Sequence, residues 1–430
     1  MRILLLNQCF YPDVVSTAQH LTDLALGLAG KGHKVTVLAS RRGYDDPARR
    51  FDARETWRGI DIIRIPTLGL GKGTKWRRFL DFGSYLIFCF VRLMFVRRQD
   101  LTVALTSPPL ISFFGALFAK LRGGRFCFWV MDLNPDEAVA LGWLREDSLV
   151  TRALQGLLKF SLNRSDKIIA LDRFMQERIV RKGIPDDSIA VVPPWPHDDD
   201  IRYDEAGRTA FRAAHGLTDK FVVMYSGNHS PCHPLDTLLA AAGRLNTEEK
   251  IIFCFVGGGS EFQKVKDFAR YNSLKNVLCL PYQPRTELAG SLSAGDLHVV
   301  VMGDPFKGLV HPCKVYNVVA IGAPFLYIGP EESHVSDLMQ RFTNGLNVRS
   351  ARHGAVEEMV AHIEAAAAAG PRRTIPPQEL ASHFSCHTLL PQIISILEQV
   401  MDKTSPPRLP VLSLSARPLN NARDVRTAET

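Results

Sequence analysis

What this chain lacks narrows its function before any motif is read. Its 430 residues hold only eight cysteines, and no two of them stand in a Cys-x-x-Cys pair. That spacing argues against a zinc ribbon or a thiol redox motif, and a disulfide framework is not expected in a chain this long. Cys127, Cys254 and Cys279 fall in apolar stretches and read as small buried hydrophobes of a reducing compartment. Basic runs with interleaved aromatics are missing, so no nucleic-acid partner is expected. The 13 histidines show no metal-ligand spacing, and His229, His233 and His311 have the residue types of a metal site without its pattern. Neither a metal nor a cofactor is expected. Met1-Arg2 is followed by a short apolar run and then by polar Asn7-Gln8, which reads as a first strand and not as a signal-peptide core.

A long apolar run is also missing. The best candidate, Phe82 to Val91, contains Gly83 and Ser84 and is followed by Arg92, whereas a spanning helix needs roughly 20 apolar residues. Trp76-Arg77-Arg78 and Arg97-Arg98 bracket it with groups suited to lipid headgroups. Two readings stand: a helix lying on a membrane surface, or a helix buried between strands. Gly69-Leu70-Gly71-Lys72-Gly73-Thr74 is not a phosphate-binding P-loop, because Pro66 and Gly73 occupy positions that need Gly and Ser or Thr.

What is present suits two globular units. The composition is 46% hydrophobic and 22% charged, with a formal net charge of +8 that favours anionic partners. Apolar strands at Arg2–Leu6, Val35–Ala39, Ile60–Ile65, Leu101–Thr106, Phe126–Met131 and Lys167–Leu171 alternate with amphipathic segments such as Thr17–Lys31. That rhythm predicts a parallel sheet covered on both faces, an α/β fold. It breaks at Val192-Pro193-Pro194-Trp195-Pro196 and the acidic run after it, a stiff polar connector. It restarts at Phe221. The expected division is a first domain at 1–192, a linker at 193–204, a second domain at 205–382, a helix at 383–403 that returns toward the first domain, and a disordered tail at 404–430.

The second half carries the chemistry. Strand Phe221–Ser226 leads to Gly227-Asn228-His229-Ser230, and strand Ile251–Val256 leads to Gly257-Gly258-Gly259-Ser260. Such strand–glycine–helix turns place backbone N–H groups where phosphates bind, though any tight turn uses glycine. Further on, Lys314 opens a short helix and Asn317 lies on nearly the same face. A lysine there opposes the helix dipole, unless an anion is held at that end.

"YSGNHSPCHPLDTLLAAAGRL", "FVGGGSE" and "HPCKVYNVVAIGAPFLYIG" resemble the donor half of family 4 retaining glycosyltransferases with the GT-B fold. "LNQCFYPDVVSTAQHLTDLALGLAGKGHKVTVLAS", "TSPPLISFFGALFAKLRGG" and "MDLNPDEAVALGWL" resemble their bacterial exopolysaccharide and O-antigen members, of the colanic-acid type. The likeness runs over roughly residues 1 to 400. It implies two Rossmann-like domains facing across a cleft, with a nucleotide-diphosphate sugar held by the second and an acceptor by the first. It implies donor contacts at Gly227, Asn228, His229, His233, Gly257, Gly258, Tyr282, Gln283, Lys314 and Asn317. Acceptor contacts would fall at Tyr11, Ser16, Thr17, Asn134 and Asp136, with Ser16 and Thr17 capping the first helix. Lys314 would stabilise charge on the departing diphosphate. Asp132 would orient the attacking hydroxyl or balance charge on the sugar ring, although it has a second reading as the cap of the following helix. The family's two glutamates are replaced by Leu309 and Asn317.

The resemblance also implies a UDP-sugar donor, a polyprenyl-type lipid-linked acceptor and a peripheral place on the cytoplasmic membrane's inner face. Two rival readings remain: a nucleotide-sugar epimerase of the same architecture, and a non-catalytic sugar-nucleotide-binding protein.

Overall fold

The computed structural model describes residues 1–402 apart from 45, 47, 71–74, 197–200, 343–346 and 371–377. The expected tail at 404–430, the acidic end of the linker and most of the glycine-rich loop after Pro66 lie outside the described residues.

Eight strands form the first sheet: β1 (Arg2–Leu6), β2 (Lys34–Ser40), β3 (Arg54–Trp57), β4 (Ile60–Ile65), β5 (Leu101–Ala104), β6 (Arg125–Trp129), β7 (Lys167–Ala170) and β8 (Ile189–Val191). Their order is β3-β4-β2-β1-β5-β6-β7-β8. All pairings are parallel except β3 with β4. The sequence reading did not anticipate β3, and the reason is local. Arg-Glu-Thr-Trp is an edge strand with exposed residues, and the turn Arg58-Gly59 joins it to β4 with both residues at positive φ. Inner strands such as β1 and β5 are apolar and buried, as a sheet covered on both faces requires. The short strand β8 was also not anticipated.

The second sheet holds β9 (Phe221–Asn228), β10 (Ile251–Gly258), β11 (Val277–Leu280), β12 (Leu297–Val301), β13 (Phe325–Ile328) and β14 (Val348–Ala351). Its order is β11-β10-β9-β12-β13-β14, all parallel. One expectation needs correction here. Gly227-Asn228 and Gly257-Gly258 are not loop residues; they are paired strand ends, Gly227 with Gly257 and Asn228 with Gly258. A Cβ on Gly257 would stand 2.1 Å from the Gly227 carbonyl oxygen. Glycine serves close backbone approach at this sheet edge.

The connector between the sheets is less free than its prolines suggest. Trp195 is fully buried against the first core, and its indole N–H donates to Asp23 at 2.9 Å. The helix Cys386–Met401 also lies on the first core. Leu389, Ile393, Ile394 and Leu397 join Leu21, Leu24 and Leu28, each buried side chain contributing about 1.5–3 kcal/mol. Lys31 and His33 hold Glu398 at 2.9 and 3.1 Å. The helix expected at Thr17–Lys31 runs Ser16–Gly30, and its cap position is Val15, with no side-chain cap. Ser16 and Thr17 therefore do not cap it. Loops that follow β1, β6 and β7 meet loops that follow β9 and β12, and the candidate site forms between them.

Candidate functional site

The site is built around Lys314, first residue of the seven-residue helix Lys314–Ala320. The segment before it descends from β12, so the lysine emerges beside the C-terminal end of β9. Its Nζ is inaccessible to solvent and has no hydrogen-bond partner among the described residues. The ammonium sits 3.6 Å from the centre of the Tyr225 ring. Burial pulls its pKa down from 10.5 to about 7, opposed only by the nearby Cys313. A cation over an aromatic face is attracted by the ring quadrupole, but by only about 0.5–2 kcal/mol, less than an ion pair would give. Gly227 lies against this lysine, where a Cβ would make an ordinary contact 3.7 Å from the Nζ, and its φ of 128° is what calls for glycine.

Two imidazoles face the same lysine. His229 packs its ring on Tyr225 and Phe262, with centroids 4.8 and 4.7 Å apart. Its Nδ1 lies 3.2 Å from the Gly258 carbonyl and its Nε2 is buried without a partner. The Nδ1 of His233 is likewise buried and unpartnered. Burial, then the Lys314 charge, lowers His229 to about 4 and His233 to about 3. Both rings are neutral at pH 7, and each offers one donor and one acceptor. The helix after β9 begins at Asp236, so residues 229–235 form the loop that delivers these histidines.

Asn317 is half-buried one turn beyond Lys314, and its Oδ1 also lacks a partner. Leu309 is different. It is 2% exposed and packs with the first domain's apolar core, and its carbonyl accepts the Leu133 N–H at 2.8 Å. A glutamate could not take that place without burying its charge. Tyr282 lays its ring against Gly258, and a Cβ on that glycine would meet the ring at 2.9 Å. Gln283 folds back on the Pro281 carbonyl at 2.9 Å. Asn228 is exposed at the end of β9.

The first domain contributes carboxyls. Asp132 follows β6, and burial raises its pKa to about 8, with the Glu137 charge adding to the shift. It does not cap the next helix, Asp136–Ala140, whose cap position is Pro135 with no side-chain bond. Glu137, which sequence reasoning passed over within the same motif, reaches across the cleft. Its Oε1 accepts from the Cys232 thiol at 3.5 Å, and its Oε2 accepts from Asn134 at 2.8 Å. Ser16 faces Cys313 at 3.9 Å, which ties the first helix to the Lys314 segment. Burial pushes the Cys313 thiol up to about 12, so it is no thiolate.

Two expected acceptor residues are engaged by neighbours in their own half. Both carboxylate oxygens of Asp136 are engaged, by Lys182 at 2.7 Å and Gln155 at 3.1 Å. Tyr11 stacks on Trp57 with centroids 4.0 Å apart. Thr17 is half-buried in the first turn of its helix.

Among the described residues, one group has metal-ligand atoms near one another: Asp172, His311 and His334, within 4.8 Å. Its geometry fits a metal poorly. The two rings are stacked with centroids 3.7 Å apart, so their nitrogens run side by side and do not converge.

Comparison with known proteins agrees with this architecture. Residues 17–195 match the model of the glycosyl transferase 4-like domain. The chain is 25% identical over 356 residues to the putative colanic acid biosynthesis glycosyl transferase WcaI of Escherichia coli K12, covering 80% of this chain and 86% of that one. It is 24% identical over 251 residues to the probable glycosyltransferase WbjE of Pseudomonas aeruginosa, covering 58% of this chain and 62% of that one. Among solved structures, sucrose-phosphate synthase from Thermosynechococcus elongatus superposes with a TM-score of 0.72 at 16% identity, covering 94% of this chain and all of that one. HepE of Anabaena, solved with UDP and glucose, gives 0.68 at 16% identity, covering 93% of this chain and all of that one.

Proposed function

We propose that this chain, a glycosyltransferase of GT-B fold and of the bacterial polysaccharide-biosynthesis type, moves a sugar with retention from a nucleotide-diphosphate donor, UDP first among them, to a lipid-linked acceptor. The observation that carries the reading is the buried, unpartnered ammonium of Lys314. Leaving such a cation without a partner is costly, and a diphosphate is the kind of ligand that would complete it. Negative charge grows on the diphosphate as the sugar departs, so a fixed cation helps the transition state more than the ground state. His229 and His233 would donate from neutral rings. Asn317 would take the ribose contact that a glutamate makes in the family, and Tyr282 would lie against the base. The solved complexes of HepE with UDP, and the likeness to WcaI, a putative colanic acid biosynthesis glycosyl transferase, favour the same donor and pathway class.

On the acceptor side we assign Asp132 and Asn134 to the attacking hydroxyl. Transfer on one face of the sugar needs no enzyme nucleophile. The bond from C1 to the diphosphate breaks as the acceptor oxygen attaches, and the acceptor proton leaves toward the phosphate oxygen. The division of labour follows residues 1–192 for the acceptor, 193–204 as linker and 205–382 for the donor, with 383–403 fastening the second half to the first.

The helix Lys75–Met94 supports a peripheral place on the inner face of the cytoplasmic membrane. Tyr85, Cys89 and Leu93 bury one side, while Leu80, Ile87, Val91 and Met94 are exposed on another. Exposed Arg77, Arg97 and Arg98 flank that stripe. Among the described residues no helix is long and apolar enough to cross a membrane.

The test is release of nucleotide diphosphate by purified protein from a panel of nucleotide sugars, with and without a polyprenyl-phosphate-linked sugar. Release that depends on the acceptor supports transfer. Acceptor-independent interconversion of the donor sugar would point to an epimerase, and nucleotide binding without turnover to a non-catalytic binding protein. Asp132→Asn keeps the volume and removes the titratable carboxyl. It should lower turnover while the melting temperature stays put; full activity would remove Asp132 from the mechanism.

A further inference from the structure

Beside the donor site the two halves share a buried polar chain that the transfer chemistry does not touch. Asp172 caps the helix Arg173–Arg181, its Oδ1 accepting the Met175 N–H at 2.8 Å. Its Oδ2 crosses to the second half and lies 2.7 Å from His311 Nδ1. His311 Nε2 lies 2.8 Å from the Tyr316 hydroxyl. All three side chains are buried, and His334 stacks on His311.

Elementary chemistry fixes the protons. A carboxylate only accepts, so His311 carries its proton on Nδ1, and its Nε2 accepts from the Tyr316 O–H. Burial works against the Asp172 charge. The hydrogen bonds from His311 and the Met175 N–H outweigh it and hold the carboxyl below its ordinary range. The chain is complete, Tyr316 to His311 to Asp172, with every heteroatom along it bonded.

Its place matters more than its strength. His311 lies three residues before Lys314 and Tyr316 two after it, so the chain grips both ends of the turn that carries the ammonium. Other contacts hold the same junction. Arg173 grips Asp337 with two bonds of 2.7 and 3.0 Å, and Arg178 donates to the Lys307 carbonyl at 2.6 Å. The Cys313 thiol donates to the His311 carbonyl at 3.2 Å. Among the described residues the Lys314 ammonium has the Tyr225 ring beneath it and no hydrogen bond to hold it there. Its position is therefore set by the backbone on either side.

We propose that Asp172 and His311 are positioning residues: through the chain to Tyr316 they clamp residues 311–316 against the first half and so hold the Lys314 ammonium over Tyr225. The functional meaning rests on the reading of Lys314 as the diphosphate contact, whereas the clamp itself does not.

Four variants separate the possibilities. Asp172→Ser keeps a capping oxygen for Met175 but falls short of His311. His311→Phe keeps the stack on His334 and loses both bonds. Tyr316→Phe removes one oxygen. Asp172→Asn is the rescue, because its amide donates to His311 Nδ1 while the ring reverses its tautomer and donates to Tyr316. Pulse acetylation with acetic anhydride, read by mass spectrometry at Lys314 and normalised to the other lysines, reports how far the amine is held away from water. Labelling at Lys314 should rise about fivefold or more in Asp172→Ser and His311→Phe as the turn opens locally, and stay near wild type in Asp172→Asn. The Kd for UDP should rise about tenfold in the first two, the scale of one charge-assisted hydrogen bond. Unchanged labelling in a folded His311→Phe protein overturns the clamp. Should that variant fail to fold, Tyr316→Phe decides: raised Lys314 labelling supports the clamp and wild-type labelling overturns it. If wild type binds no nucleotide diphosphate, the donor reading falls, while the labelling comparison still judges the clamp.

Discussion

Two buried cation sites among the described residues of the second half are treated in opposite ways. Beneath the N-terminal edge of its sheet, Arg208 and Arg212 converge on Asp296 at 2.6 and 2.9 Å. Arg208 also donates to the Ser293 carbonyl at 2.7 Å, and Arg212 to the carbonyls of Ala294 and Lys220. Asp296 in addition accepts the Val222 N–H at 2.8 Å. The charges in this node are paired and bonded. At the opposite edge of the same sheet the Lys314 ammonium is buried with no hydrogen-bond partner among the described residues. One fold and one dielectric environment surround both, so burial does not explain the contrast. A cation whose bonds are complete holds the structure together. A cation whose bonds are missing costs stability, and the arrangement makes sense if a ligand completes it.

The comparison breaks most visibly at the bonded end. Asp296→Ala leaves two buried guanidiniums without their carboxylate and should cost about 3–5 kcal/mol of stability, read by urea or thermal unfolding. Nucleotide binding by the fraction that remains folded should be near normal. At the unbonded end the signs reverse. Lys314→Ala should lower turnover by about 2–4 kcal/mol, roughly 30- to 1000-fold, with no loss of melting temperature. The cost of burying its charge is fully present below about pH 7 and fades as pH rises toward the free amine's value, so Lys314→Met should be stabilising, most clearly at low pH. Turnover within threefold of wild type for Lys314→Ala would sink the assignment.

How much of this was legible beforehand differs between backbone and site. The strands that were read beforehand follow from apolar runs and glycine turns, which are local signals, whereas β8, β12 and β14 were not read. The charged edge strand β3 was missed because it is not buried. Lys314 was found because a lysine opening a helix is locally odd. Tyr225 beneath it was not, since the contact depends on β9 and β12 lying side by side in the sheet. Asp172 and His311 are 139 residues apart and meet only when the two halves dock. Sequence left Asp132 with two readings, and Pro135 at the cap position of the next helix removes the capping one. Leu309 looked like a lost glutamate, whereas in place it is part of an apolar junction with Leu133.

A smaller effect sharpens the contrast by titration. Lys314 is lowered by burial to about 7, so above that pH the free protein holds a neutral amine. A bound diphosphate favours the charged form and raises the pKa again. Binding above pH 7 must then take up a proton, and affinity should fall by at most tenfold per pH unit between about pH 7.5 and 9.5. Calorimetry in buffers of different ionisation enthalpy measures that uptake directly. Lys314→Arg, which stays charged, should remove the slope. A pH-independent Kd in wild type would mean that the lysine is already charged or does not meet the ligand.

The smallest effects belong to a third kind of cation, exposed on the surface. Arg77, Arg97 and Arg98 are exposed around the helix Lys75–Met94, so their charge is screened with a Debye length of about 8 Å near physiological ionic strength. Anionic lipid attracts each by only about 1 kcal/mol, and only when it lies near the surface. The expectation is graded: sedimentation with vesicles containing anionic lipid at low salt, partial release as salt rises, and a loss of about 1 kcal/mol for each arginine changed to Gln. The exposed stripe of Leu80, Ile87, Val91 and Met94 should keep a residual affinity that salt does not remove, because apolar burial is not an interaction between charges. Replacing Ile87 and Val91 by Ser should abolish that salt-resistant part and leave the salt-sensitive part intact. Wild-type protein that stays entirely in the supernatant at low salt would show that these arginines only keep the helix soluble, and the acceptor would then have to be met away from a lipid surface.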